Sequence, residues 1–277
     1  DGRLVTVVAV DGEVIALDAD SGAERWRAAA GAEVLAPPAV ADSTVIVRAS
    51  DSRLIAFDAR SGERGWIYQR TTPPLALRSV AGILLADRVA IVGYPGGKLV
   101  GVNVDNGGPM FELTVSSPRG VTELERITDV AGTAVLGRRE ICAVSYQGRA
   151  GCFDSTNGTA LWLRDFSSAV GMDKDTRRAV ITDDRDSVRG LDAFSGADVW
   201  RQDALARRSV TRPLLVGEHV VVADGEGYVH VLSVEDGTFA ARSRLDGSAV
   251  VVAPQRLGNS SFVIQTRDGG VFALEAR

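Results

Sequence analysis

Apolar positions in this chain come in short continuous runs, and the polar interruptions between them recur in the same order. The stretch GEVIALDADSGAERW at 12–26 is written again as SRLIAFDARSGERGW at 52–66. In each copy a turn-forming residue precedes an apolar run, an acidic residue closes it, a D-x-x-S-G sequence follows, and a tryptophan stands just beyond. Short apolar runs bounded by turn residues predict strands covered on both faces rather than amphipathic helices. Taking the polar residue that closes each run as an anchor gives Asp18, Asp58, Asn103, Asp154, Asp192, Ser233 and Glu275. Seven copies, spaced by roughly 40–50 residues, therefore fill the chain.

Positions around the anchor repeat as well. Six residues before it stand Gly12, Ser52, Gly97, Gly148, Asp186, Gly227 and Gly269; four after it stand Gly22, Gly62, Gly107, Gly158, Gly196 and Gly237. Both slots read as turns, the first between two strands and the second closed by a left-handed residue that glycine adopts without steric cost. Eight residues after the anchor come Trp26, Trp66, Phe111, Trp162, Trp200 and then Ala241, so all four tryptophans share one slot. A ring of that size buries about 150–250 Å² and is expected to pack one repeat against another. Two further strand-like runs, such as LAPPAVA and STVIVRAS at 35–50, complete each repeat. Units of four antiparallel strands, apolar on both faces and unable to bury both alone, predict an all-β fold, a β-propeller with one blade per repeat. One propeller domain over residues 1–277 is expected. Its first repeat lacks an innermost strand and its last stops after a third strand, which predicts further N-terminal sequence, up to a whole blade.

Composition narrows the function. A net charge of −5 with 24% charged residues removes the electrostatic basis for nucleic-acid or anionic-membrane binding. No apolar run approaches the roughly 18–20 residues of a membrane-spanning helix. Cys142 and Cys152 flank a hairpin at Gln147-Gly148. A two-residue turn there would set position 142 opposite 153 and send the sulfurs to opposite faces, favouring two buried free thiols; a slip of one residue reverses that reading. His219 and His230 lack the partner spacing of a metal site, and Asp183, Asp184 and Asp186 lack the order of a calcium loop. No nucleophile elbow, phosphate loop or zinc helix is present. The residues thus predict no metal site.

The repeat stretches at two places, QRTTPPLALRSVAG (69–82) and VSSPRGVTELERITDVAG (115–132). Both fall between a blade's outer strand and the next blade's inner strand, so they are expected side by side on one face. Leu75 and Leu77 are apolar residues in a segment that should be a polar loop, and Arg78, Arg119, Glu123, Glu125, Arg126 and Asp129 place charges of both signs nearby. Two readings stand. An apolar pair rimmed by charge marks a docking surface; alternatively the leucines begin the inner strand and pack beneath it, with Arg78 paired to Asp129.

The D-x-x-x-G-x-x-x-W spacing resembles the pyrroloquinoline-quinone-type propeller repeat, shared by dehydrogenases, sensor ectodomains and scaffolds. The segments PLALR at 74–78, TELERITDV at 122–130 and GEGYVHVLSVEDGTF at 225–239 resemble, more narrowly, the BamB family of outer-membrane β-barrel assembly lipoproteins. That resemblance implies an eight-bladed, non-enzymatic scaffold without a cofactor. It also implies anchorage on the periplasmic face of the bacterial outer membrane by a lipidated cysteine outside this sequence. Its implied partner is BamA, bound through that protein's POTRA domains by Leu75, Leu77, Arg78 and Asp129, with Arg119, Glu123 and Arg126 flanking them. Family members carry a second aspartate two residues after Asp129, where this chain has Ala131. A quinone-dependent dehydrogenase and a ligand-sensing periplasmic ectodomain are the alternatives; the dehydrogenases carry an adjacent-cysteine disulfide, and this chain has no adjacent cysteine pair.

Overall fold

The computed structural model describes residues 3–78 and 81–276. Among them every regular element is a strand, and the strands form seven antiparallel sheets in chain order, the blades of a β-propeller. The blades span residues 4–29, 39–68, 83–114, 130–166, 172–202, 214–244 and 255–275. Blades 2 to 6 have four strands each, and blades 1 and 7 have three. Within each blade consecutive strands are neighbours, so every connection inside a blade is a hairpin. By contacts the chain divides into residues 1–134, holding blades 1–3, and residues 135–277, holding most of blade 4 and blades 5–7.

The repeated residues do what their chemistry requires. The first turn slot is left-handed in six of the seven copies, at Gly12, Ser52, Gly97, Asp186, Gly227 and Gly269. At the second turn the anchor side chain accepts backbone N–H bonds: Asp58 Oδ1 takes those of Arg60 and Ser61 as well as the Ser61 hydroxyl. Asp192 does the same with Phe194 and Ser195. These bonds hold the Asp58 and Asp192 carboxyls below the usual aspartate range.

The tryptophans are latches between successive blades. Trp26 Nε1 donates to the Ala59 carbonyl at 2.9 Å and Trp66 Nε1 to the Val104 carbonyl at 2.8 Å. Trp162 and Trp200 donate to the carbonyls of Ala193 and Val234 at 3.1 and 2.9 Å. Each acceptor is the residue directly after the next blade's anchor. The glycine of that same turn lies against the indole face; a Cβ on Gly62 would fall 2.7 Å from the Trp26 ring, so this slot needs glycine for space as well as for its φ of +74°. Phe111 has no N–H to donate and packs over Gly101 of its own blade.

One expectation fails. Cys142 lies directly opposite Cys152 and the two are joined in a disulfide. The turn contains three residues, Tyr146, Gln147 and Gly148, because Ser145 pairs with Arg149 through its hydroxyl and Gln147 takes the left-handed position. The extra residue shifts the register by one and brings both sulfurs to one face.

Candidate functional site

The segments at 69–82 and 115–132 fall between blades 2 and 3 and between blades 3 and 4, although 130–132 already belong to the first strand of blade 4. Ser79 and Val80, inside the first segment, lie outside the described residues. Pro73 and Pro74 lack the N–H that a strand ladder needs, and the described part of this segment forms no strand. The second segment owes its shape to T-x-x-E. Glu125 Oε2 accepts the N–H groups of Val121 and Thr122, while the Glu125 N–H returns to Thr122 Oγ1, a capping box around a single turn. These bonds hold the Glu125 carboxyl below its usual range.

Asp129 ties the two segments together. Its side chain is 2% exposed. One oxygen accepts the Leu77 N–H, the other accepts the Gly96 N–H at 3.4 Å, and its backbone bridges Pro95. Burial pushes this carboxyl above the ordinary aspartate range, against the pull of those two N–H groups and of nearby Arg48. Arg48 is itself buried and lies over the Tyr94 ring, which Arg70 also faces. The carboxylate thus meets the first loop through its backbone and leaves the loop's side chains to solvent.

Leu75 is exposed, Leu77 is half-buried and Arg78 is exposed. Arg78 pairs with Glu33, so the Arg78–Asp129 pairing of the alternative reading does not form. That ion pair holds the Arg78 charge across a cleft of ≈ 350 Å³ lined by Leu35, Ala36, Arg48, Pro73, Pro74 and Leu77. Arg119, Glu123 and Arg126 are exposed on the second segment. Sequence reasoning overlooked Val121 and Leu124, which are 96% and 68% exposed, and Glu33. The signal for Val121 and Leu124 was present, since the capping-box turn TELE has no buried side to give them. No such signal existed for Glu33, whose role depends on a contact 45 residues away.

Elsewhere the chemistry is sparse. No group of three or more His, Cys, Asp or Glu residues suited to a metal occurs among the described residues. Asp186 accepts the N–H groups of Ser209 and Val210, tying its hairpin to the loop before blade 6. His219 lies in an inner strand of blade 6, and His230 is buried against Asp224.

The chain as a whole is similar to known proteins. A family profile described as outer membrane protein assembly factor BamB matches residues 1–188 and 184–277. The outer membrane protein assembly factor BamB of Burkholderia pseudomallei is 44% identical over all of this chain and 72% of its own length. The corresponding protein of Bordetella pertussis is 46% identical over all of this chain and 71% of its own length. The crystal structure of BamB from Moraxella catarrhalis superposes with a TM-score of 0.92 at 26% identity, covering 99% of this chain and 82% of that one. The repeat, its latches and the paired excursions thus stand in a chain that belongs to the BamB family of outer membrane protein assembly factors.

Proposed function

We propose that this chain is a non-enzymatic adaptor in the assembly of outer-membrane β-barrels and docks BamA through the POTRA domains of that protein. The observation that carries this reading is the tie made by the Asp129 side chain to the Leu77 N–H, which couples two non-repeating loops without using the exposed side chains of either. That surface offers an exposed leucine at 75, a half-buried leucine at 77 over a cleft, a guanidinium at 78 and two further apolar residues at 121 and 124. Apolar anchors rimmed by charge are how small protein interfaces concentrate binding energy. Arg78 exchanges Glu33 for a carboxylate or carbonyl of the partner. Asp129 acts as a positioning residue rather than a contact. A periplasmic location on a lipid anchor follows from the same reading, and the Cys142–Cys152 disulfide fits such an oxidising compartment.

The test is co-purification of the full-length protein with BamA. Leu77→Ala with Arg78→Glu should abolish it while leaving the melting curve nearly unchanged. Retained binding with intact folding would refute the docking role of these loops.

A further inference from the structure

Blade 6 departs from the repeat at a position far in sequence from the docking loops. Three residues before the anchor blades 1, 2, 3 and 7 place Ile15, Ile55, Val100 and Phe272, while blades 4 and 5 place Gly151 and Arg189. Blade 6 places His230 there, and it is 1% exposed. Its Nε2 lies 2.8 Å from Oδ2 of Asp224, which is fully buried and also bound by Arg208 Nε at 2.6 Å. Burial opposes the charge on Asp224, yet hydrogen bonds from His230, the Tyr228 N–H and Arg208 together hold its carboxyl below the usual range. Burial also pushes the His230 imidazole below its ordinary value, against the attraction of Asp224. An ionised Asp224 beside a neutral imidazole fixes the tautomer: Nε2 carries the proton and donates it, and Nδ1 presents a bare lone pair. That Nδ1 is buried and has no hydrogen-bond partner. A core that needed only packing would put an aliphatic residue here, because an unsatisfied buried polar atom costs about 1–3 kcal/mol.

His230 lines a cavity of ≈ 380 Å³ together with Leu205, Arg208, Phe239, Ala241 and Arg242. Its wall is apolar at Leu205, Phe239 and Ala241, and the Phe239 ring meets the imidazole edge-on at 5.9 Å. Arg242 is directly opposite His230 across the strand pair. Its guanidinium stacks 3.9 Å from the Tyr228 ring centre, and no carboxylate lies within ion-pair reach of it among the described residues. Arg208, by contrast, is neutralised by Asp224 and Glu226. The cavity therefore combines an apolar wall, one uncompensated cation and an imidazole whose buried Nδ1 has no hydrogen-bond partner. A metal ion is a poor fit, because a single nitrogen ligand between two guanidinium groups meets charge repulsion.

We infer that this cavity in blade 6 binds a small organic acid with an apolar or aromatic body, its carboxyl group held between Arg242 and Nδ1 of His230. The acid binds as the carboxylate, and one proton taken up from solvent is shared between a carboxyl oxygen and Nδ1. No covalent bond forms or breaks. The charged and titratable groups around the imidazole are Asp224, Arg208, Glu226, Tyr228, Arg242 and Arg244. This inference does not rest on the docking proposal.

The chain has two histidines, so ring-nitrogen NMR isolates the event, with His219 as an internal reference. Titration with 3-phenylpropionate should shift the His230 ring signals saturably toward the doubly protonated form and leave those of His219 in place. The neutral alcohol 3-phenylpropanol should cause no saturable shift. Arg242→Ala, at an exposed outer-strand position, should retain the fold and lose the shift with the acid. The inference is overturned if His230 fails to respond to the acid, if the alcohol acts equally, or if Arg242→Ala responds like the parent protein. His230→Gln, which removes the proton acceptor, should weaken acid binding measured by calorimetry; unchanged affinity in a folded His230→Gln protein also overturns it.

Discussion

The blade turns and the two long inter-blade loops both rely on an aspartate that accepts backbone N–H groups, but the two kinds of aspartate have opposite electrostatics. Asp58 and Asp192 sit in solvent-facing turns, where Ser61 and Ser195 hold each carboxyl ionised below its usual range. Asp129 is sealed between two loops, and burial holds its carboxyl above that range. The turn aspartate serves a local shape that blades 1 to 6 repeat. Asp129 instead links residues 52 positions apart, and it does so at the expense of its own ionisation. The difference separates a framework that folds from a surface that the framework carries.

The largest effect expected from breaking this contrast lies in the framework. Trp162→Ala empties a latch with an indole N–H bond to Ala193 and should cost about 3–5 kcal/mol. Chemical denaturation would measure it. Trp162→Phe keeps the ring and loses the N–H bond, so it should cost about 1 kcal/mol from that bond plus a small packing loss. Equal losses for both variants would mean that ring volume is not what the latch supplies. Next in size is the disulfide. Replacing Cys142 and Cys152 by alanine together should cost about 2–3 kcal/mol for the short loop closed, read from the same denaturation curves.

The framework was largely legible before any coordinates because each of its parts is local: a turn slot, an anchor and a tryptophan at fixed offsets within one repeat. Phe111 and Ala241, the two departures in the tryptophan slot, were legible for the same reason. The disulfide was misread because one residue in a hairpin loop decides which face a side chain takes, and Tyr146-Gln147-Gly148 does not announce its length. The loops were legible as places and not as geometry. That Arg78 meets Glu33 and that Asp129 meets the Leu77 N–H depend on chain segments 45 and 52 residues apart, and no pattern within either segment encodes them.

A smaller effect sharpens the electrostatic contrast. Asp129 has a folded-state pKa above its unfolded value, so the native state holds its proton more tightly than the unfolded state does. Its contribution is fully present below the unfolded value and is lost as pH rises through the raised folded value. Asp58 has the reverse sign: its contribution is present above the unfolded value and is lost as pH falls through the depressed folded value. Stability measured against pH should therefore show Asp129→Asn removing a loss that the parent suffers on going from acid toward neutral pH. Asp58→Asn should remove a loss that the parent suffers on acidification. The same direction of change in both variants would contradict the assigned environments. Truncation by Asp129→Ala leaves the Leu77 and Gly96 N–H groups without an acceptor and should cost about 1–3 kcal/mol.

The smallest stability effect belongs to the proposed contact residues themselves. Leu75 is exposed, and the Arg78–Glu33 ion pair is a surface pair that solvent screens and that contributes little to stability. Leu75→Ala with Arg78→Glu should leave the denaturation midpoint close to that of the parent. A large loss would place these side chains in the framework rather than on its surface.

The most direct measurement is amide hydrogen exchange of the chain with and without a soluble fragment of BamA carrying its POTRA domains. The account predicts slowed exchange at 72–78 and 119–126, with the Asp58 and Asp192 turns unchanged. Protection confined to the blade turns or outer strands, with both loops exchanging as in the free protein, would contradict it.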